Sequence, residues 1–131
     1  MATLKARDVT VATALGGTVS LSVDVTGNGD STNTADRGIV AIGVPGGLVV
    51  TSAIGATPTV KLNIMGSVDG TNWYNLAYAL VATPTTVTVA ELTITTAVIT
   101  TYLLLADQAW RYLKTVRSAN TNVTLTETAY L

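Results

Sequence analysis

A chain of 131 residues with seven basic and eight acidic side chains, a net charge of −1 and neither histidine nor cysteine has room for one core and few catalytic options. Without histidine the usual general base, the Ser-His-Asp triad and the commonest metal ligand are gone, and without cysteine so are disulfides and thiolate zinc sites. Charged residues make up only 11% of the chain, against about a quarter in an ordinary globular domain, so its surface is either Thr, Ser, Asn and Gly or is covered by neighbouring subunits.

In chain order, MATLKARD (1–8) carries Lys5, Arg7 and Asp8 rather than an apolar block, which argues against a secretory signal and reads as an arm that orders only on a partner. Residues 9–131 are then expected to be a single domain. TVSLSVDV (18–25) alternates Val19, Leu21, Val23 and Val25 with Ser20, Ser22 and Asp24, the pattern of a half-buried antiparallel strand. TGNGDSTNTADR (26–37) is expected to be a long loop in which Asp24, Asp30, Asn33 and Asp36 lie close together. It lacks the ligand spacing and bidentate Glu of a calcium loop, so a solvated or interface loop is preferred.

GIVAIGV (38–44) is apolar on both faces of a strand, with Ile39 and Ala41 on one side and Val40, Ile42 and Val44 on the other. Such a strand is buried in its own core and against a neighbour, which makes Ile39, Val40, Ile42 and Val44 the candidate contacts for an oligomer or a shell. The charge-free run from Gly38 to Val60 is long enough to span a bilayer, but Pro45-Gly46-Gly47, Gly55 and several threonines divide it into two short strands around a turn, so no membrane role is expected. Breaks are read at 55–58, 66–72, 83–84 and 118–122.

TVKLNIM supplies Val60, Leu62 and Ile64 to another strand, and SVDGTNWYNL (67–76) then sets an Asp69-Gly70 turn ahead of Trp73. Gly70 tolerates the positive φ of a tight turn, and Trp73 is expected to pack the returning strand onto the core. In TTVTVAELTIT, Val87, Val89, Leu92 and Ile94 fit one strand if a bulge sits near Ala90-Glu91. The stretch 97–117 is ambiguous: Ile99, Leu103, Ala106, Trp110 and Leu113 have helical spacing, whereas VITTYLLL and WRYLKTVR would make a hairpin. β-Branched enrichment favours the hairpin. Trp110 and Tyr112 are candidate structural anchors, and Val123 and Leu125 mark a closing strand.

No constellation for catalysis emerges. Glu91 and Glu127 are isolated carboxylates, GNGD is not a phosphate loop, and Arg111, Lys114 and Arg117 are too few for a nucleic-acid stripe. No enzyme activity, cofactor, metal or nucleic-acid partner is therefore expected. Trp73, Tyr74 and the 26–37 loop could stack and hydrogen-bond a sugar, although consecutive strand residues point to opposite faces.

Gly66, Ser67, Asp69, Gly70 and Trp73, as Gly-Ser-x-Asp-Gly-x-x-Trp, followed by Arg111-Tyr112-Leu113-Lys114, form a pattern that resembles bacteriophage virion proteins built on jelly-roll or galactose-binding-like sandwiches. The resemblance covers roughly the second half of the chain. It implies an all-β, antiparallel β-sandwich of jelly-roll type in one domain, and a non-enzymatic capsid decoration (cement) protein on the virion surface, made in the host cytoplasm. The implied partners are further copies of itself, a trimer being favoured, and the major capsid protein. Two other roles stay open: a carbohydrate- or receptor-binding module of a phage tail, and a head-tail connector or tail-tube subunit.

Overall fold

The computed structural model describes residues 10–12 and 15–131, so the expected arm at 1–8 lies outside the described residues. Every regular element among them is a strand: β1 (Thr10–Ala12), β2 (Thr18–Val25), β3 (Gly29–Asp30), β4 (Thr34–Ala41), β5 (Gly46–Ser67), β6 (Trp73–Asn75), β7 (Tyr78–Leu80), β8 (Thr83–Thr88), β9 (Leu92–Ile94), β10 (Ile99–Leu104) and β11 (Trp110–Tyr130). The fold is all-β, single-domain and antiparallel, apart from one parallel pairing of β1 with β4. No helix of the described residues is long and apolar enough to cross a membrane.

Two long strands organise everything else. β5 and β11 run antiparallel from Gly47 opposite Tyr130 to Ser67 opposite Tyr112. At one end, the first half of β5 continues the sheet through β10 and β7 to β8, while β2 flanks the last part of β11. At the other end β6 and β9 line the free side of β5, and β3 and β4 line that of β11.

The expected breaks at 55–58 and 118–122 do not end these strands. They lie opposite each other as register shifts in one ladder, with Thr57 and Asn122 at positive φ. Turn-type residues on two partnered strands make a shared bulge, which bends the pair without unpairing it. The bend is sharp. Thr115 and Glu127 would stand about 40 Å apart on a straight strand, yet the Ser31 amide bonds the Thr115 carbonyl while the next residue, Thr32, bonds Ser22, the β2 partner of Glu127. Both halves therefore feed one core, in which Leu48, Val50 and Leu125 join Val60, Leu62, Ile64 and Leu113.

Four local expectations are corrected. The stretch 97–117 contains two strands and no helix, but they are not hairpin partners: β10 lies between β5 and β7 while β11 starts in the opposite half. Residues 83–94 are not one bulged strand, because β8 and β9 sit on different edges; Val87 and Val89 are exposed while Leu92 and Ile94 are buried. The expected loop 26–37 already enters β4 at Thr34. In β2 the alternation breaks after Leu21, where a register irregularity turns Ser22 inward and leaves Val23 64% exposed.

Candidate functional site

The candidate contacts of 38–44 sit at the end of β4. Strand alternation sends Asp36 and Arg37 to opposite faces, and each is held there. Asp36 accepts from Arg111 Nε at 2.7 Å and Nη2 at 3.0 Å and from the Gly38 amide at 2.8 Å. The Arg111 fork holds the Asp36 carboxyl below the usual carboxylate range, against the opposing effect of burial.

Arg37 is only 2% exposed. It donates to three carbonyls: Nε to Trp110 at 2.9 Å, Nη1 to Val44 at 3.3 Å and Nη2 to Ala41 at 3.2 Å. Burial lowers its pKa. Because two of those carbonyls belong to the segment leaving β4, the guanidinium ties that segment to the core. Gly43, at φ +86°, makes the turn that a side chain would strain, and its amide donates to the Ala106 carbonyl.

The result is a fixed apolar tip. Ile39 and Val40 are exposed and Ile42 is 73% exposed, whereas Ala41 is buried and Val44 is half-buried. Of the four candidates three, Ile39, Val40 and Ile42, are exposed at this end of β4. The fourth, Val44, serves the mount through its carbonyl. Ile39 and Val40 are consecutive in β4 and both are exposed, so neither face of the strand is buried in the core at this point, and Ile42 follows in the turn after Ala41.

The Asp69-Gly70 motif builds a braced turn. Asp69 Oδ1 accepts from the Ser67 hydroxyl and from the amides of Thr71 and Asn72, and Oδ2 accepts from Asn72 Nδ2. Those amides, Asn72 first, hold its carboxyl far below the usual range. Gly70 has φ +81° and lies against the Tyr112 ring, where an added Cβ would come within 3.3 Å.

Trp73 departs from the expectation of a buried anchor: it is only half-buried, on the short edge strand β6. The Lys114 ammonium sits 4.4 Å from its ring centre and also pairs with Asp30 at 3.1 Å. Trp110 is the tryptophan in the core, with no exposed surface. Tyr74 points elsewhere, its hydroxyl donating to the Ala109 carbonyl. Trp73 and Tyr74 therefore do not share a platform, and Lys114 occupies part of the Trp73 face that a sugar would need.

The acids of 24–36 do not converge on a cation site. Asp30 pairs with Lys114, Asp36 with Arg111, and Asp24 contacts Thr126. The three cations of WRYLKTVR are likewise committed: Arg111 and Lys114 to those acids, and Arg117, which is buried, to the carbonyls of Gly27 and Asp30.

Two residues that matter here carry no sequence signal of burial. One is Arg37. The other is Glu127, fully buried on β11 opposite Ser22, with neither oxygen in full hydrogen-bond geometry with a donor. Burial pushes its carboxyl up, and nearby Thr115, Ser22 and Arg117 hold it back only in part.

No known protein family matches this sequence, and no curated protein matches it. The match lies in the fold alone. The fold is similar to the crystal structure of SPBc2 prophage-derived protein YomS, with a TM-score of 0.60 over 87% of this chain and 90% of that one, at 6% sequence identity. The likeness is one of fold.

Proposed function

We propose that this chain is a non-enzymatic structural protein of a bacteriophage particle, a decoration protein that self-associates and docks on the major capsid protein at the virion surface. The observation that carries this reading is the tip of β4: three large aliphatic side chains held in solvent by a buried arginine clamp. Exposed aliphatics gain nothing in the free protein, whereas covering them on a partner returns roughly 25 cal/mol for each Å² removed from water. A rigid mount lowers the ordering cost of that contact. The similarity of fold to a prophage-derived protein supports the phage setting.

The test is the protein content of density-purified particles from a strain carrying the gene. The chain is expected there at structural copy number, and Ile42→Asp protein added to particles lacking it is expected to bind at least 10-fold more weakly. Absence of the chain from particles, or unchanged binding by Ile42→Asp, overturns the proposal.

A further inference from the structure

We infer that a buried polar cluster on the inner face of β11 is a proton-operated latch on the turn 26–30: Arg117 holds that turn while Glu127 is neutral and loosens it when Glu127 is charged. The inference concerns the core and does not rest on the particle role.

Strand alternation points Thr115 and Arg117 inward before the bend and Glu127 inward after it. Residues 31 and 32 draw the two places together. Ser31 exchanges two bonds with Thr115, its amide donating to the Thr115 carbonyl at 2.7 Å and its hydroxyl accepting from the Thr115 amide at 3.1 Å. The Thr32 amide donates to the Ser22 hydroxyl at 3.2 Å, and Ser22 is the ladder partner of Glu127. Ser22, Ser31, Thr115, Arg117 and Glu127 are all buried.

The cluster has hydrogen-bonding capacity to spare. Arg117 spends Nε on the Gly27 carbonyl at 2.8 Å and Nη2 on the Asp30 carbonyl at 3.4 Å, both in the turn, while Nη1 is buried without a partner. The two Glu127 oxygens and Thr115 Oγ1 are likewise buried and unpartnered. Native cores rarely leave such groups idle, because each has given up water and gained nothing in return.

A proton decides how that capacity is used. A neutral carboxyl needs only a hydroxyl to accept its O–H, and Ser22 and Thr115 each offer one. A charged carboxylate in the same place needs a cation. The surrounding charges leave one candidate. Asp24 of β2 is exposed beside Thr126, Asp30 pairs with Lys114, Asp36 of β4 pairs with Arg111, Arg37 lies on Trp110, and Lys61 of β5 is exposed. Only Arg117 remains, with its spare Nη1.

Drawing the guanidinium toward Glu127 lengthens its bonds to the turn, the 3.4 Å contact first, and leaves Asn120 Nδ2 at 3.2 Å as the other side chain on the Gly27 carbonyl. Gly29 keeps its ladder pairing with Arg117, so the turn is loosened and not detached. Gly27 and Gly29 have open space around them, which lets the turn move. Burial makes Glu127 keep its proton past the ordinary glutamate range, so the latch is closed below its raised pKa and open above it.

Nuclear magnetic resonance on the full chain from pH 4 to 8 tests this, reading the Glu127 carboxyl carbon, the Arg117 Nε–H and the exchange protection of amides 27–30 in one series. As Glu127 loses its proton, the Arg117 signal is expected to shift with the same midpoint and the protection at 27–30 to fall at least 5-fold. In Glu127→Gln both are expected to stay at their acid values throughout. A Glu127 carboxyl that keeps one charge state, an Arg117 signal that does not follow it, or an equal fall in Glu127→Gln, which would assign the effect to Asp24 or Asp30, overturns the inference. If the variant does not fold, coincidence of the three midpoints in the parent chain decides.

Discussion

The guanidinium of Arg37 lies 3.4 Å from the centre of the Trp110 ring, and both side chains are almost completely buried. The indole face supplies the attraction that a carboxylate would otherwise provide, and among the described residues no carboxylate pairs with this arginine. The same contact puts the rear of the apolar tip directly on the largest core side chain.

Arg37→Met keeps most of the volume over the ring but removes every donor to Trp110, Ala41 and Val44. Each buried carbonyl left without a partner costs about 1–3 kcal/mol. Urea unfolding is expected to register a loss in that range or above, and limited proteolysis to open first between Ala41 and Gly46. A Met variant as stable as the parent would mean that stacking alone holds the segment.

Glu127 sets the second expectation, and its sign runs opposite to the usual acid limb. Its folded pKa is raised, so the native state holds the proton more tightly than the unfolded chain does. Its contribution is therefore most favourable in mild acid and is lost as pH rises from the ordinary glutamate value through the raised one. Glu127→Gln mimics the neutral form, and Arg117 keeps its carbonyl partners. Melting temperatures from pH 4 to 8 are expected to show the variant more stable at neutral pH, with its advantage shrinking on acidification. A difference independent of pH would show that Glu127 does not change its charge in that window.

Gly66 tests how tightly the second half is packed. A Cβ there would meet Leu76 side-chain atoms at 2.7, 2.9 and 3.0 Å, and Leu76 is itself buried. Gly66→Ala is expected to cost about 1–3 kcal/mol by overpacking. Combined with Leu76→Ala the penalty is expected to fall by at least about 0.5 kcal/mol, read from a double-mutant cycle. Strict additivity would place the strain elsewhere.

Much of this architecture is written as period-two patterning. Val60, Leu62 and Ile64, and Val123 and Leu125, are buried as their alternation requires. What the pattern does not carry is continuity. Gly55, Pro58 and Asn122 are turn formers taken singly, and only the placement of Asn122 opposite 55–58 makes them a bulge in one ladder. The Asp69 turn was legible because its chemistry is local. The fate of the ring beyond it was not, since Trp73 lies on a three-residue edge strand while Trp110 opens the central one. Of the candidate contacts, Ile39, Val40 and Ile42 were legible as too apolar for one core. Nothing local distinguishes Arg37, whose three acceptors include the carbonyl of a residue 73 positions away.

β11 hydrogen-bonds to β2, β3, β4 and β5, and Tyr130 pairs with Gly47 across most of the chain. No earlier segment can close the core alone, because each lacks the strand that links them. Until β11 is complete the uncharged aliphatic strands lack their central partner. Closure then depends on a few contacts distant in sequence, which places refolding in the slow range of about milliseconds to seconds. Until β11 is in place those strands are exposed to one another and to other chains, the condition in which chaperones are needed.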